Sequence, residues 1–218
     1  MAVVTDRELL DTIHGTPWIA ELLTLFDFDV ARASDGPVSL LGGQPLEAIA
    51  GDGTGGTFLL VGADAAVRPV LYVGSEGEGG LIATSLRSAL ALIVGVASLH
   101  DATAYPVDED GGRALRDFLT SADDEIRADR PELDDNRDRL RTALGLPPVD
   151  DALLRSLQSV AADFDYRPIT GEGDRYRPML SWLETAGESE GPAAPRVPPS
   201  APIPTARPEE VPGQQALF

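Results

Sequence analysis

An α+β fold, with a central and mostly antiparallel sheet flanked by helices, is predicted by three observations. Helix signals come first, a cluster of short apolar runs follows, and helix signals return, which is a segregated order rather than alternating strand–helix units. Twelve of the 22 Gly lie between Gly36 and Gly80, where turns between strands are needed. The hydrophobic share of 43% in 218 residues is enough for a sizeable core.

Thr5-Asp6-Arg7-Glu8 is a capping box ahead of Leu9, Leu10 and Ile13, and Gly15 ends that helix. Thr16 is placed to cap a second helix with Pro17 at its first position. Trp18, Leu22, Leu25 and Phe26 give that helix one apolar face. Strands are expected over 46–49, 57–62 and 68–74, with Leu81 and Ile82 adding a short one after the loop 75–80. A helix follows over 85–94, with Leu86, Leu90 and Ile93 on one side. Three more helices read over 111–127, 131–144 and 149–162; Gly145 ends the second, and Asp150 and Asp151 suit the start of the third. A last short helix is expected to carry Tyr176, Met179, Leu180, Trp182 and Leu183.

Composition divides the chain into an α+β part over 1–105, a helical extension over 106–185 packed on it or continuous with it, and a tail over 186–218. The tail holds eight of the 18 Pro and few large apolar residues before its end, so it is expected to be disordered.

The 36 acidic residues outnumber 17 basic ones, all of them Arg, for a net charge of −19. Such a charge argues against direct binding to nucleic acid or an anionic membrane surface and steers basic partners toward the chain. Residues 1–100 carry −8, 101–186 carry −9 and the tail only −2, so the acidity belongs to the expected folded part. Without Cys there is no disulfide, thiol nucleophile or Cys-based zinc site. No basic stretch precedes an apolar run at the start, and the apolar stretch 90–96 falls far short of the ~18 residues of a membrane span. A cytoplasmic location is expected.

Gly51-Asp52-Gly53-Thr54-Gly55-Gly56 has the letters of a dinucleotide fingerprint but leads into Thr57-Phe58-Leu59-Leu60, a strand pattern, and lacks the Lys of a P-loop. It reads as a hairpin turn. Asp134, Asn136 and Asp138 imitate the start of a calcium loop, but Arg139 and Gly145 stand where Gly and Glu are required, so no metal site is expected. Ser75 is not in a nucleophile elbow, and His14 and His100 have no metal-spacing partner. Carboxylate pairs such as Asp27/Asp29, Asp123/Asp124 and Asp134/Asp135 carry little information in so acidic a chain. Asp123/Arg127, Asp134/Arg137 and Asp138/Arg141 read as ion pairs along exposed helix faces, with an acidic docking surface as the functional alternative.

Residues 46–58, Leu46-Glu47-Ala48-Ile49-Ala50-Gly51-Asp52-Gly53-Thr54-Gly55-Gly56-Thr57-Phe58, resemble the strand, Gly-Asp-Gly turn, strand core of the SUKH superfamily. Arg68-Pro69-Val70-Leu71-Tyr72-Val73-Gly74-Ser75-Glu76-Gly77 resembles its next strand and turn, 85–95 its following helix, and 18–26 its N-terminal helices. The resemblance covers about the first hundred residues and none of the tail. The all-Arg basic complement is similar to the usage of high-GC actinobacterial genomes. The resemblance implies an α+β domain without cofactors that binds another protein, in many members a bacterial toxin that it neutralises. A basic toxin suits the charge found here.

The expected activity is therefore binding rather than catalysis, with contacts from Asp52, Thr54, Ser75, Glu76 and Glu78, because loops on a rigid sheet carry function more often than core residues do. The alternative lies at the end of the tail. There Gln214-Gln215-Ala216-Leu217-Phe218 resembles the short peptide by which bacterial proteins bind the DNA sliding clamp, with Gln214, Leu217 and Phe218 as its anchors. Gln215 departs from the commoner Leu at its position. An enzyme working through paired carboxylates stands as a third class.

Overall fold

One antiparallel meander makes the main sheet. In the computed structural model, which describes residues 4–63 and 65–180, β2 (Leu46–Gly51), β3 (Thr57–Val61), β4 (Val70–Val73) and β5 (Gly79–Ala83) pair in chain order. A smaller antiparallel sheet joins β1 (Ser39–Leu40) to β6 (Pro168–Ile169). The helices are α1 (Asp6–Gly15), α2 (Pro17–Thr24), α3 (Leu86–Gly95), α4 (Leu99–Ala102), α5 (Arg113–Asp129), α6 (Leu133–Leu144) and α7 (Asp151–Ala161). The α+β class is thus the observed one.

The capping box forms as written: Thr5 Oγ1 accepts from Glu8 N at 3.2 Å and Glu8 returns a carboxylate to Thr5 N at 2.8 Å. Thr16, by contrast, gives α2 no side-chain cap; its backbone carbonyl accepts from Ile19 N, and Pro17 supplies the preset first turn. Ser85 and Asp150 cap α3 and α7 through Ser88 N and Leu153 N.

Strand alternation sorts the sheet's two faces. Phe58, Leu60, Val70, Tyr72 and Ile82 face the larger core, with α1, α2 and α3. Leu59, Val61, Leu71, Val73 and Leu81 face a smaller one closed by Leu40, Val160, Tyr166 and Tyr176. Both faces are covered, which is why 57–61 and 70–73 read as unbroken apolar runs. Helix α3 is buried nearly all round, with Ala89, Leu90, Leu92 and Val94 fully covered. Leu115, Leu140 and Leu157, from α5, α6 and α7, join the same core as Leu23 and Leu90, so the acidic extension packs directly on the first part of the chain.

The expected last helix does not form over 176–180. Tyr176 N donates to Pro168 O, and Arg177 runs beside β5, exchanging backbone bonds with Gly77 and Gly79. Pro178 has no N–H to offer a helix, and extended pairing with β5 wins. Trp182, Leu183 and the tail lie outside the described residues. No described helix is long and apolar enough to cross a membrane.

Candidate binding site

The Gly-rich segment 51–56 is the turn between β2 and β3, as its strand flanks require. Its geometry is set by one carboxylate. Asp52 Oδ1 accepts from the N–H groups of Thr54, Gly55 and Gly56 and from Thr54 Oγ1, all at 2.8 Å. Successive backbone N–H groups converging on one oxygen make a nest for an anion, here an internal one. Asp52 Oδ2 accepts a 2.6 Å bond from Tyr72 Oη on β4. Gly56 must be Gly for this to happen, since a Cβ there would lie 2.6 Å from Tyr72 Oη.

Burial alone would push the Asp52 carboxyl up, but the bonds from Tyr72, Thr54 and Gly56 outweigh it and hold the group below its ordinary value. The Tyr72 phenol is driven well above its usual range, first by burial, then by the Asp52 hydrogen bond and the charges of Asp52, Glu78 and Asp27. Asp52 therefore remains an anion and Tyr72 a neutral donor at physiological pH.

A second turn sits beside the first. Gly74 N donates to Glu78 O at 2.8 Å, and Ser75 Oγ lies 3.4 Å from Thr54 Oγ1, linking the two turns at one end of the sheet. Glu78 faces inward, its side chain 12% exposed, with His100 Nε2 at 3.6 Å and Arg177 Nη2 at 3.9 Å. Of the residues expected to make contacts, Thr54, Ser75 and Glu76 are exposed and adjacent. Asp52, 7% exposed and fully engaged, holds the turn instead of offering a contact, and Glu78 is occupied internally. Gln214, Leu217 and Phe218 lie outside the described residues.

Beside these turns is a cavity of about 250 Å³. Asp52, Thr54, Phe58 and Tyr72 form its sheet wall, and Leu25, Phe26 and Asp27 close one side. Ile93 comes from α3, Val96 from the link after it, Leu99 and His100 from α4, and Ile126, Leu133 and Arg137 from α5 and α6. Asp27 holds the left-handed conformation, φ +56°, that carries the chain off α2 into the cavity rim; Asp tolerates it better than most residues do.

Arg137, 3% exposed, anchors the helical wall. Its Nε donates to Val94 O at 2.9 Å, and its two terminal nitrogens grip Asp123 at 2.7 and 2.8 Å. The pair spans 14 residues, so helical spacing did not reveal it; the expected Asp134 partner is also near, at 3.7 Å. Arg130 Nη1 donates to Leu25 O at 2.9 Å and ties α5 to the end of α2. Among the described residues no three His, Asp or Glu side chains gather as metal ligands would. The cavity thus offers apolar walls and fixed charges, while the Asp52 carboxylate and the Tyr72 phenol are spent on the turn.

Neither a protein-family model, nor a curated protein, nor a solved structure matches this chain.

Proposed function

We propose that this chain is a non-enzymatic binding protein for a basic protein partner, an immunity-type inhibitor of a bacterial toxin as its resemblance to the SUKH superfamily implies. One observation carries the reading: Asp52 and Tyr72, the groups best placed for chemistry at the cavity, are consumed by the turn and by each other. What remains for a partner is a rigid end of the sheet with Thr54, Ser75 and Glu76 exposed beside an apolar hollow. The net charge of −19 suits a basic target, since a nuclease-like toxin must be basic to hold its substrate.

The test is co-expression with basic nuclease-type toxin domains, starting with any that the neighbouring genes prove to encode. The full chain is expected to restore growth and to co-purify with the toxin domain. If the pair forms no complex and killing is undiminished, the inhibitor reading falls.

A further inference from the structure

The 250 Å³ cavity is not isolated. A second, shallower hollow of about 330 Å³ lies against it, and the two share Ala97, Ile126 and Arg130 as a common wall. Together they make one groove that starts at the Asp52 turn and runs out between α4 and α5. Its inner end is apolar, lined by Phe26, Phe58, Ile93 and Leu99. Its edges are acidic, with Asp27 at the inner end and Asp101, Glu125 and Asp129 at the outer.

These four carboxylates have no hydrogen-bonded or ion-paired partner among the described residues, whereas several acids close by on α5, α6 and α7 are paired. Arg127 meets Asp123, Asp124 and Asp134; Arg116 meets Asp151; Arg155 meets Asp108. The two guanidiniums in the groove are both committed, Arg137 to Asp123 and Val94, Arg130 to Leu25. The Arg130 bond is to a carbonyl and leaves its charge uncompensated, so the balance is four unpaired carboxylates against one guanidinium, negative overall, beside an apolar pocket.

We infer that this groove docks a basic segment of a protein partner, one apolar side chain entering the inner cavity and Arg or Lys side chains meeting Asp27 on one side and Asp101, Glu125 and Asp129 on the other. The inference rests on the reading of the chain as a binder of a basic protein, and names the surface and the segment chemistry. The inner cavity is smaller than the ~300–1,000 Å³ that encloses a drug-sized ligand, which suits a single side chain better. Charge argues against the other occupants. The chain's own tail over 187–218 carries −2 and a second copy −19, so either would bring like charge to an acidic groove.

The probe is a set of fluorescent nonapeptides, each with a central Leu, Phe or Trp flanked by Arg and Lys, beside versions flanked by Glu or by Ser. Anisotropy with the full chain is expected to detect only the basic set, with affinity falling as salt rises. The double variant Glu125→Lys/Asp129→Lys, at two exposed positions, is expected to weaken binding about tenfold or more. Ala97→Trp, which fills the shared wall, should abolish it, and circular dichroism checks that each variant folds. Amide shifts on titration should centre on Ala97, Asp101 and Ile126. The inference is overturned by no binding of any basic peptide, by equal binding of the Glu- and Ser-flanked sets, or by both variants binding as the parent does. Tighter peptide binding after deletion of 187–218 would assign the groove to the tail, and peptide-sensitive dimerisation to a second copy; both overturn it. A toxin complex that survives both groove variants would sink this inference alone, whereas failure of the parent chain to bind any basic toxin sinks the functional reading itself.

Discussion

Tyr72 Oη donates a 2.6 Å hydrogen bond to Asp52 Oδ2 while the other oxygen of the same carboxylate gathers the N–H groups of the β2–β3 turn. One anion thereby fastens a hairpin turn to the neighbouring strand β4. The arrangement makes a Gly-rich turn, which would otherwise be among the looser parts of a sheet, into a fixed wall for the cavity. Phe58, between Phe28 and Tyr72 with ring centroids 5.3 and 5.0 Å away, extends the same wall into the core.

Removing the phenol hydroxyl tests that link. Tyr72→Phe leaves the ring packing and deletes one bond to a charged acceptor, a loss of about 1.5–3 kcal/mol. Asp52→Ala also strands the buried Gly56 N–H and should cost more, about 3–5 kcal/mol. Urea unfolding of the two single variants and the double variant measures the coupling. Additive losses would show that the two groups hold the turn independently.

The acid limb of stability has a definite sign at two carboxyls. Asp52 titrates below its ordinary value in the folded chain, so its stabilisation is complete above about pH 4 and is lost as pH falls through the lower folded value. Asp6 is the reverse: burial raises it against the bond from Arg68 N, so its contribution is full at low pH and is lost as pH rises through the raised value. Urea midpoints from about pH 6 down to about pH 2 should therefore fall less steeply at the acid end in Asp52→Asn than in the parent. In Asp6→Asn the opposing decline above about pH 4 should vanish. Identical profiles for all three chains would contradict both assignments.

The reach of local pattern explains what could be read in advance. The turn at 51–56 was legible because its flanks are strand-like, and α1 because Thr5 and Glu8 sit three apart. The role of Asp52 was not, since Tyr72 lies 20 residues on and only the sheet register, Phe58 opposite Tyr72, brings them together. The burial of Asp52 has the same origin: an acid in a Gly-rich loop reads as solvated until the donors around it are counted. Arg137 and Asp123 belong to different helices, and Asp27 and Asp129 line two adjoining hollows only because the end of α2 and the end of α5 are packed side by side. Segment 176–180 shows the converse, where apolar spacing suggested a helix and pairing with β5 prevailed.

The Gln214-Gln215-Ala216-Leu217-Phe218 peptide is separable from the groove by experiment. A chain lacking these five residues is expected to bind its basic partner as the full chain does, and immobilised sliding clamp is expected to retain neither form. Clamp that retains the full chain and releases the shortened one would give the tail a role of its own.

The buried ion pair of Arg137 with Asp123 makes the strongest stability prediction. Side-chain exposures are 4% and 17%, so removing one partner leaves a charge with little water to compensate it. Arg137→Met should cost about 3 kcal/mol, because Asp123 loses both of its short bonds and keeps only the 3.5 Å contact with Arg127, and Val94 O loses its donor as well. Arg116 and Asp151 make a pair of the same 2.8 Å length, but their side chains are 48% and 51% exposed, and Arg116→Met should cost only about 0–1 kcal/mol. The double variant Arg137→Met/Asp123→Leu separates the charge from the packing. It should recover much of the loss, since an apolar pair of similar volume avoids the desolvation that the ions bear. Thermal melts of the four chains measure this order. Equal losses for Arg137→Met and Arg116→Met would mean that burial does not set the strength of the pair, and that the helical wall of the cavity is held by packing alone.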